Sequence, residues 1–162
     1  MSTAVAVPVE VALPPISWST FINAPVETVY AMLTTEEGWN GWFTTECKID
    51  LRAGGNIDFV WRNWALNHMD FEDGGTILEV VPNEKFSFTW HREFNPTTVT
   101  FTLHRLGEGT VLELTDSGYN SQAMGPDLSG FAGCSVGWGE IITLLKVYIE
   151  HGITYGAVPI AS

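Results

Sequence analysis

The last regular stretch, Gly137 to Gly152 (GWGEIITLLKVYIEHG), constrains the fold more than any other part of the chain. Counting from Trp138, apolar side chains fall at Ile141, Ile142, Leu145, Tyr148 and Ile149, the i, i+3, i+4, i+7 pattern of a helix with one broad apolar stripe. His151 falls in the last turn, and Gly152 suits the position just beyond it. The spacing predicts a long C-terminal helix reaching back to Ser129. Such a stripe cannot be buried by the helix alone, and the regular segments upstream are mostly β in pattern, so the helix must lie on a sheet.

Those upstream segments follow in order. Ile16 to Asn23 alternates Ile16, Trp18, Thr20 and Ile22 on one face and predicts the first strand. Asn23-Ala24-Pro25 stops it, and Pro25 preorganises a helix over Val26 to Leu33, with a second short helix or turn over Thr34 to Asn40. From Glu46 the period changes to two. Strands are expected at Glu46 to Arg52, Asn56 to Trp64, Thr76 to Val81, Phe86 to Trp90, Val99 to Leu103 and Val111 to Thr115. Gly54-Gly55, Pro82 to Lys85 and Gly107 to Gly109 are turns, and the polar stretch Asn67 to Gly75 is read as a loop. Strands joined by tight turns are antiparallel, with one face free for the helix to cover. The expected class is α+β: a curved antiparallel sheet wrapped around a long C-terminal helix, with two short helices after the first strand. Residues 1–15 are read as a flexible arm or short edge strand, residues 16–152 as the domain, and residues 153–162 as a tail.

The sheet face is rich in large rings. The chain has nine Phe and seven Trp, and many recur on or near the face the helix should cover. Rings with uneven outlines on a curved sheet either fill a solid core or leave a largely apolar cavity. On the second reading the wall is Trp42, Phe59, Trp61, Trp90, Phe131 and Trp138.

The chain resembles the START-like, or Bet v 1-like (SRPBCC), superfamily, and more closely its branch named after the C-terminal domain of the activator of Hsp90 ATPase. The resemblance runs from about Ile16 to Gly152. It rests on Asn23-Ala24-Pro25-Val26-Glu27 with Val29-Tyr30, the Gly54-Gly55 turn, Gly75 to Trp90 (GTILEVVPNEKFSFTW) and Gly109-Thr110. Gly137-Trp138 with Leu145, Tyr148, Glu150, His151 and Gly152 completes it. The resemblance implies a helix-grip fold with a cavity between sheet and last helix. It also implies the superfamily's range of roles, from lipid and hormone binding to polyketide cyclisation, and dimers among standalone relatives. A chaperone partner transfers poorly, because this chain has no room for the co-chaperone's separate N-terminal domain.

Charge narrows the partners. Seven Lys and Arg against nineteen Asp and Glu give a net charge of -12, which opposes nucleic acid, phosphorylated ligands and anionic lipid surfaces. Residues 1–15 match neither a signal peptide nor a membrane span, and two cysteines make no disulfide framework, so a cytoplasmic location is expected. No catalytic pair is apparent from spacing. His91 is placed outside the cavity, His68 and His104 are read as free and solvated, and Cys47 and Cys134 as small buried side chains with nothing basic adjacent in sequence. No cofactor or metal is expected. The expected role is non-enzymatic binding of a small hydrophobic ligand, aromatic or lipid-like, by a homodimer. The alternatives are a polyketide cyclase or related lyase using Asp58, Arg62, Arg92, Tyr119 and Glu140, or a protein-interaction, co-chaperone-like role.

Overall fold

A computed structural model describes residues 10–64, 68–93, 95–121 and 128–154. The chain begins with β1 (Ile16–Ile22), α1 (Val26–Thr34) and α2 (Glu36–Trp42). A meander follows: β2 (Glu46–Ile49), β3 (Asn56–Trp64), β4 (Met69–Val81), β5 (Lys85–Trp90), β6 (Thr97–Leu106) and β7 (Gly109–Ser117). The last element is α3 (Ser129–His151). The strands form one seven-stranded antiparallel sheet in the order β1-β7-β6-β5-β4-β3-β2. The two short helices therefore carry the chain from one sheet edge to the other, and the meander returns to pair with β1. This is the helix-grip α+β architecture expected from the sequence.

Local chemistry sets the helix ends. Pro25 leads into α1 with Glu27 in the first turn, where a carboxylate faces exposed amides. The Thr35 hydroxyl accepts the Gly38 amide (2.9 Å) and caps α2. Gly152, at φ 67°, closes α3 by donating its N–H to the Tyr148 carbonyl (2.8 Å). Trp138, Ile142 and Leu145 are the buried residues of α3, while Phe131, Ile141, Tyr148 and Ile149 pack partly buried around them.

Two boundaries differ from the sequence reading. β4 starts at Met69, inside the stretch read as a polar loop, because Phe71 pairs with Trp61 and stacks on its ring (centroids 4.2 Å apart), leaving the acidic neighbours outside. β2 ends at Ile49 instead of Arg52, because the Arg52 amide turns back to the Asp50 carbonyl (2.7 Å) and leaves Leu51 exposed. At the other end, Ala12 bridges Asn120 and the Leu13 amide bonds to the Tyr119 carbonyl (2.9 Å). Residues 1–9 of the arm and residues 155–162 of the tail lie outside the described residues.

Candidate functional site

The proposed wall residues fall in three places. Trp42, at the end of α2, reaches the sheet through Trp39, whose ring lies 4.8 Å from Trp42 and 4.8 Å from Phe59. Phe59 and Trp61, on the inner face of β3, extend the cluster to Trp90 on β5, with Phe59 and Trp90 centroids 5.2 Å apart. Trp90 meets Trp138 of α3 at 5.8 Å. Phe131 stands apart, edge-on to Tyr119 at 5.3 Å, one and a half to two turns before Trp138 on α3. Five of the six are thus joined by ring contacts, four of them through Trp39 or Phe59. Trp39, Phe43, Phe88 and Phe101 also contact these rings and are absent from the wall read from the sequence. Trp18 lies on the inner face of β1 but is 47% exposed at the sheet edge.

The N-terminal half of α3 covers something different, a set of buried polar groups. Asp116 of β7 is wholly buried, and its Oδ2 accepts hydrogen bonds from the Tyr119 hydroxyl and from Trp138 Nε1 (2.8 Å). Among the described residues its Oδ1 has no partner. The neighbouring strand adds Thr97, 1% exposed, whose hydroxyl is also unpartnered among the described residues. Asp116 pairs with Val99, so Thr97 sits diagonally across the same face, about 7–8 Å away by sheet geometry. Burial, and then Asp116 and Cys134, push the Tyr119 phenol well above its ordinary pKa. Unmet polar groups inside a packed fold cost free energy.

Beside it runs a second chain of contacts. Asp73 Oδ1 accepts the Gly74 (2.6 Å) and Arg92 (3.2 Å) amides, and its Oδ2 lies 3.4 Å from His91 Nδ1. His91 Nε2 lies 4.0 Å from Cys134 Sγ. Burial opposes the imidazolium, yet Asp73 and Cys134 outweigh it and bring the His91 pKa up to about 9. Burial likewise works against the Asp73 carboxylate, but His91 and the two amides hold its carboxyl below the usual range. His91 is therefore not the free, solvated side chain expected from its strand position. Its φ of 61° breaks the alternation that would have placed it outside the sheet. Cys134 has a basic neighbour after all, supplied from 43 residues away. His68 and His104 also have partners, Asn63 (2.5 Å) and Glu113 (3.2 Å).

The other polar groups weighed from the sequence point outward. Arg92 binds Asp58 (2.6 Å) and Arg62 binds Glu72, all of them well exposed, and Glu140 is exposed on α3. Tyr119 alone of that set is buried. A groove of about 760 Å³ bordered by Val26, Glu79, Glu84, Lys85, Thr102 and Arg105 has no aromatic ring in its lining. Smaller grooves reach Trp42 (about 290 Å³) and Phe59 with Asp73 (about 150 Å³) from outside. Among the described residues no group of three or more His, Cys, Asp or Glu is disposed to hold a metal ion, and no helix is long and apolar enough to cross a membrane.

Solved structures share this fold. The Aha1 dimer from Colwellia psychrerythraea superposes with a TM-score of 0.70 at 20% identity, covering 86% of this chain and 98% of that one. CalU16 from Micromonospora echinospora gives 0.65 at 24% identity, covering 93% and 83%. DynU16, a protein in the dynemicin biosynthetic locus, gives 0.67 at 20% identity, covering 85% of this chain and 48% of its own. At these identities the likeness is one of fold. No curated protein matches the sequence significantly. The model of one family matches residues 23–150, from the end of β1 almost to the end of α3, and the chain belongs to that family, described as activator of Hsp90 ATPase homolog 1-like protein.

Proposed function

We propose that the protein binds a small, neutral, hydrophobic molecule, aromatic or lipid-like, between the sheet and α3. The observation that carries this reading is the buried polar pair Asp116 Oδ1 and Thr97 Oγ1, both unpartnered and both beside the Trp90–Trp138 ring contact. Trp90, Phe131 and Trp138 would touch the ligand, and Trp42, Phe59 and Trp61 would form the deeper wall. Removing apolar area from water contributes about 25 cal/mol per Å² before ordering costs, enough for micromolar affinity without an ionic contact. A net charge of -12 with Asp73 and Asp116 at the site disfavours anionic ligands.

The test is calorimetric titration of the parent and Thr97→Val against neutral aromatic lipophiles, a nucleotide and a sugar phosphate. Micromolar binding of the lipophiles by the parent, weakened several-fold in the variant, supports the reading. Binding of only the phosphorylated compounds overturns it.

A second reading, a polyketide cyclase or related lyase in the same space, is favoured by the hydrogen-bonded Asp116 and Tyr119, a buried acid and phenol that could orient an enolate. A new chromophore from a poly-β-ketoacyl thioester, formed by the parent and lost in Asp116→Asn, would favour it over simple binding. Self-association as a homodimer is proposed as well, the Colwellia Aha1 protein of the same fold being a dimer. Its apolar contact would come from the exposed Trp18 and Phe21 of the β1 edge.

A further inference from the structure

We propose that Cys134, His91 and Asp73 form a nucleophilic thiol site at the entry end of α3, one that takes α,β-unsaturated carbonyl compounds into covalent adducts. Three elements meet there. Asp73 comes from β4, His91 from the turn after β5 and Cys134 from α3, and the carboxylate, imidazole and thiol stand in line at 3.4 Å and 4.0 Å. A separation at the outer limit of a sulfur contact is usual for such a pair before a ligand closes on it. The two ends of the imidazole are occupied by different partners, so Asp73 fixes the ring with Nε2 aimed at sulfur. The Tyr119 hydroxyl is held by Asp116, while Arg92, next to His91, is turned away to Asp58.

Direction and chemistry come from the surroundings. Cys134 is half-buried, whereas Cys47 is wholly buried with its thiol pushed up to about 12, first by burial and then by Glu36 and Asp58. The imidazole that faces Cys134 carries its proton up to about pH 9, so the reacting thiolate form would have an imidazolium beside it. Cys134 is the sixth residue of α3, its own N–H engaged in the helix, which gives no oxyanion hole for acyl transfer. Conjugate addition needs only a nucleophile and one proton donor. Sγ forms a bond to the β-carbon, the C=C electron pair moves onto the carbonyl as an enolate, and the His91 Nε2 proton passes to the α-carbon. That leaves a thioether and neutral imidazole. The unpartnered Thr97 hydroxyl, on the strand position opposite Trp90, is placed to donate to a carbonyl oxygen, and the Trp90 and Phe131 rings suit an aryl substituent.

Alkylation kinetics test this without requiring that the proposed ligand site bind anything. Iodoacetamide at pH 7, followed by intact mass and peptide mapping, is predicted to add one group at Cys134 and none at Cys47. His91→Gln should react at least tenfold more slowly, Asp73→Asn several-fold more slowly, and all three proteins equally fast in denaturant. 4-Phenylbut-3-en-2-one should add one reagent mass to the parent and none to Cys134→Ala. Equal rates for parent, His91→Gln and Asp73→Asn overturn the proposal, as does failure of the enone to add. Asp73→Asn keeps the imidazole in place and decides the matter should His91→Gln not fold. Cys134→Ala that still binds the aromatic lipophiles separates this claim from the ligand-binding reading, which would stand if only the thiol chemistry fails.

Discussion

His91 is where one residue's setting has the clearest consequence. Its pKa of about 9 in the fold lies above the ordinary value of 6.5, so its link to Asp73 stabilises the fold fully below about pH 6.5 and is lost as pH rises through 9. Asp73, with its carboxyl held below 3.8, contributes above the ordinary carboxylate range and loses that contribution as pH falls through its lowered value. Urea unfolding should therefore show His91→Gln less stable than the parent by roughly 1 to 3 kcal/mol near pH 6, with the difference closing by pH 10. Equal stability at pH 6 would contradict the ion pair. Trp138 holds a second such setting, because its Nε1 donates to the buried Asp116 side chain, as the Tyr119 hydroxyl does. Trp138→Phe keeps a ring but removes that donor and should cost about 1 to 3 kcal/mol, while Trp138→Ala should cost about 3 to 5 kcal/mol. If Trp138→Phe melts together with the parent, the hydrogen bond carries no weight.

At the level of elements, β4 and β5 approach so closely at Gly75 that an added Cβ would lie 1.9 Å from the Thr89 carbonyl oxygen. Gly75→Ala should then cost at least about 2 kcal/mol and disturb Asp73 and Gly74 just before it, slowing Cys134 alkylation as well. A fully stable variant with parent reactivity would contradict the tight β4–β5 contact. The elements themselves were legible because their periods are clean. The stripe from Trp138 to Ile149 reads as a helix, and the alternation of Phe59 with Trp61 or Phe86 with Phe88 reads as half-buried strand. The start of β4 was hidden, since Asp70, Glu72 and Asp73 around Phe71 look like loop until Trp61 is known to lie opposite. The polar cluster was hidden for a different reason. Asp73, His91, Asp116 and Cys134 are spread over 61 positions, and only the sheet register and the left-handed turn at His91 bring them together. Asp116 did carry a signal, an acid continuing the inward alternation of Leu112 and Leu114.

For the whole molecule, an acidic surface and an edge strand bearing Trp18 and Phe21 set opposing demands. Sedimentation at micromolar concentration should show a homodimer that is weaker at low salt than at moderate salt, as screening relieves repulsion between two chains of charge -12. A monomer at every salt concentration would refute it. The central claim, a ligand site at the α3 end of the aromatic cluster, is best tested by the indole N–H signals of the seven tryptophans in a ¹⁵N-correlated NMR spectrum. Trp39, Trp42 and Trp61 donate to the backbone carbonyls of Leu33, Met32 and Phe43 within the fold, while Trp138 donates to Asp116 at the proposed site. On titration with a neutral aromatic lipophile, Trp138 and Trp90 should shift most, saturably, and Trp39, Trp42 and Trp61 only slightly. No movement of Trp138 at saturation, or shifts confined to the edge residue Trp18, would contradict it.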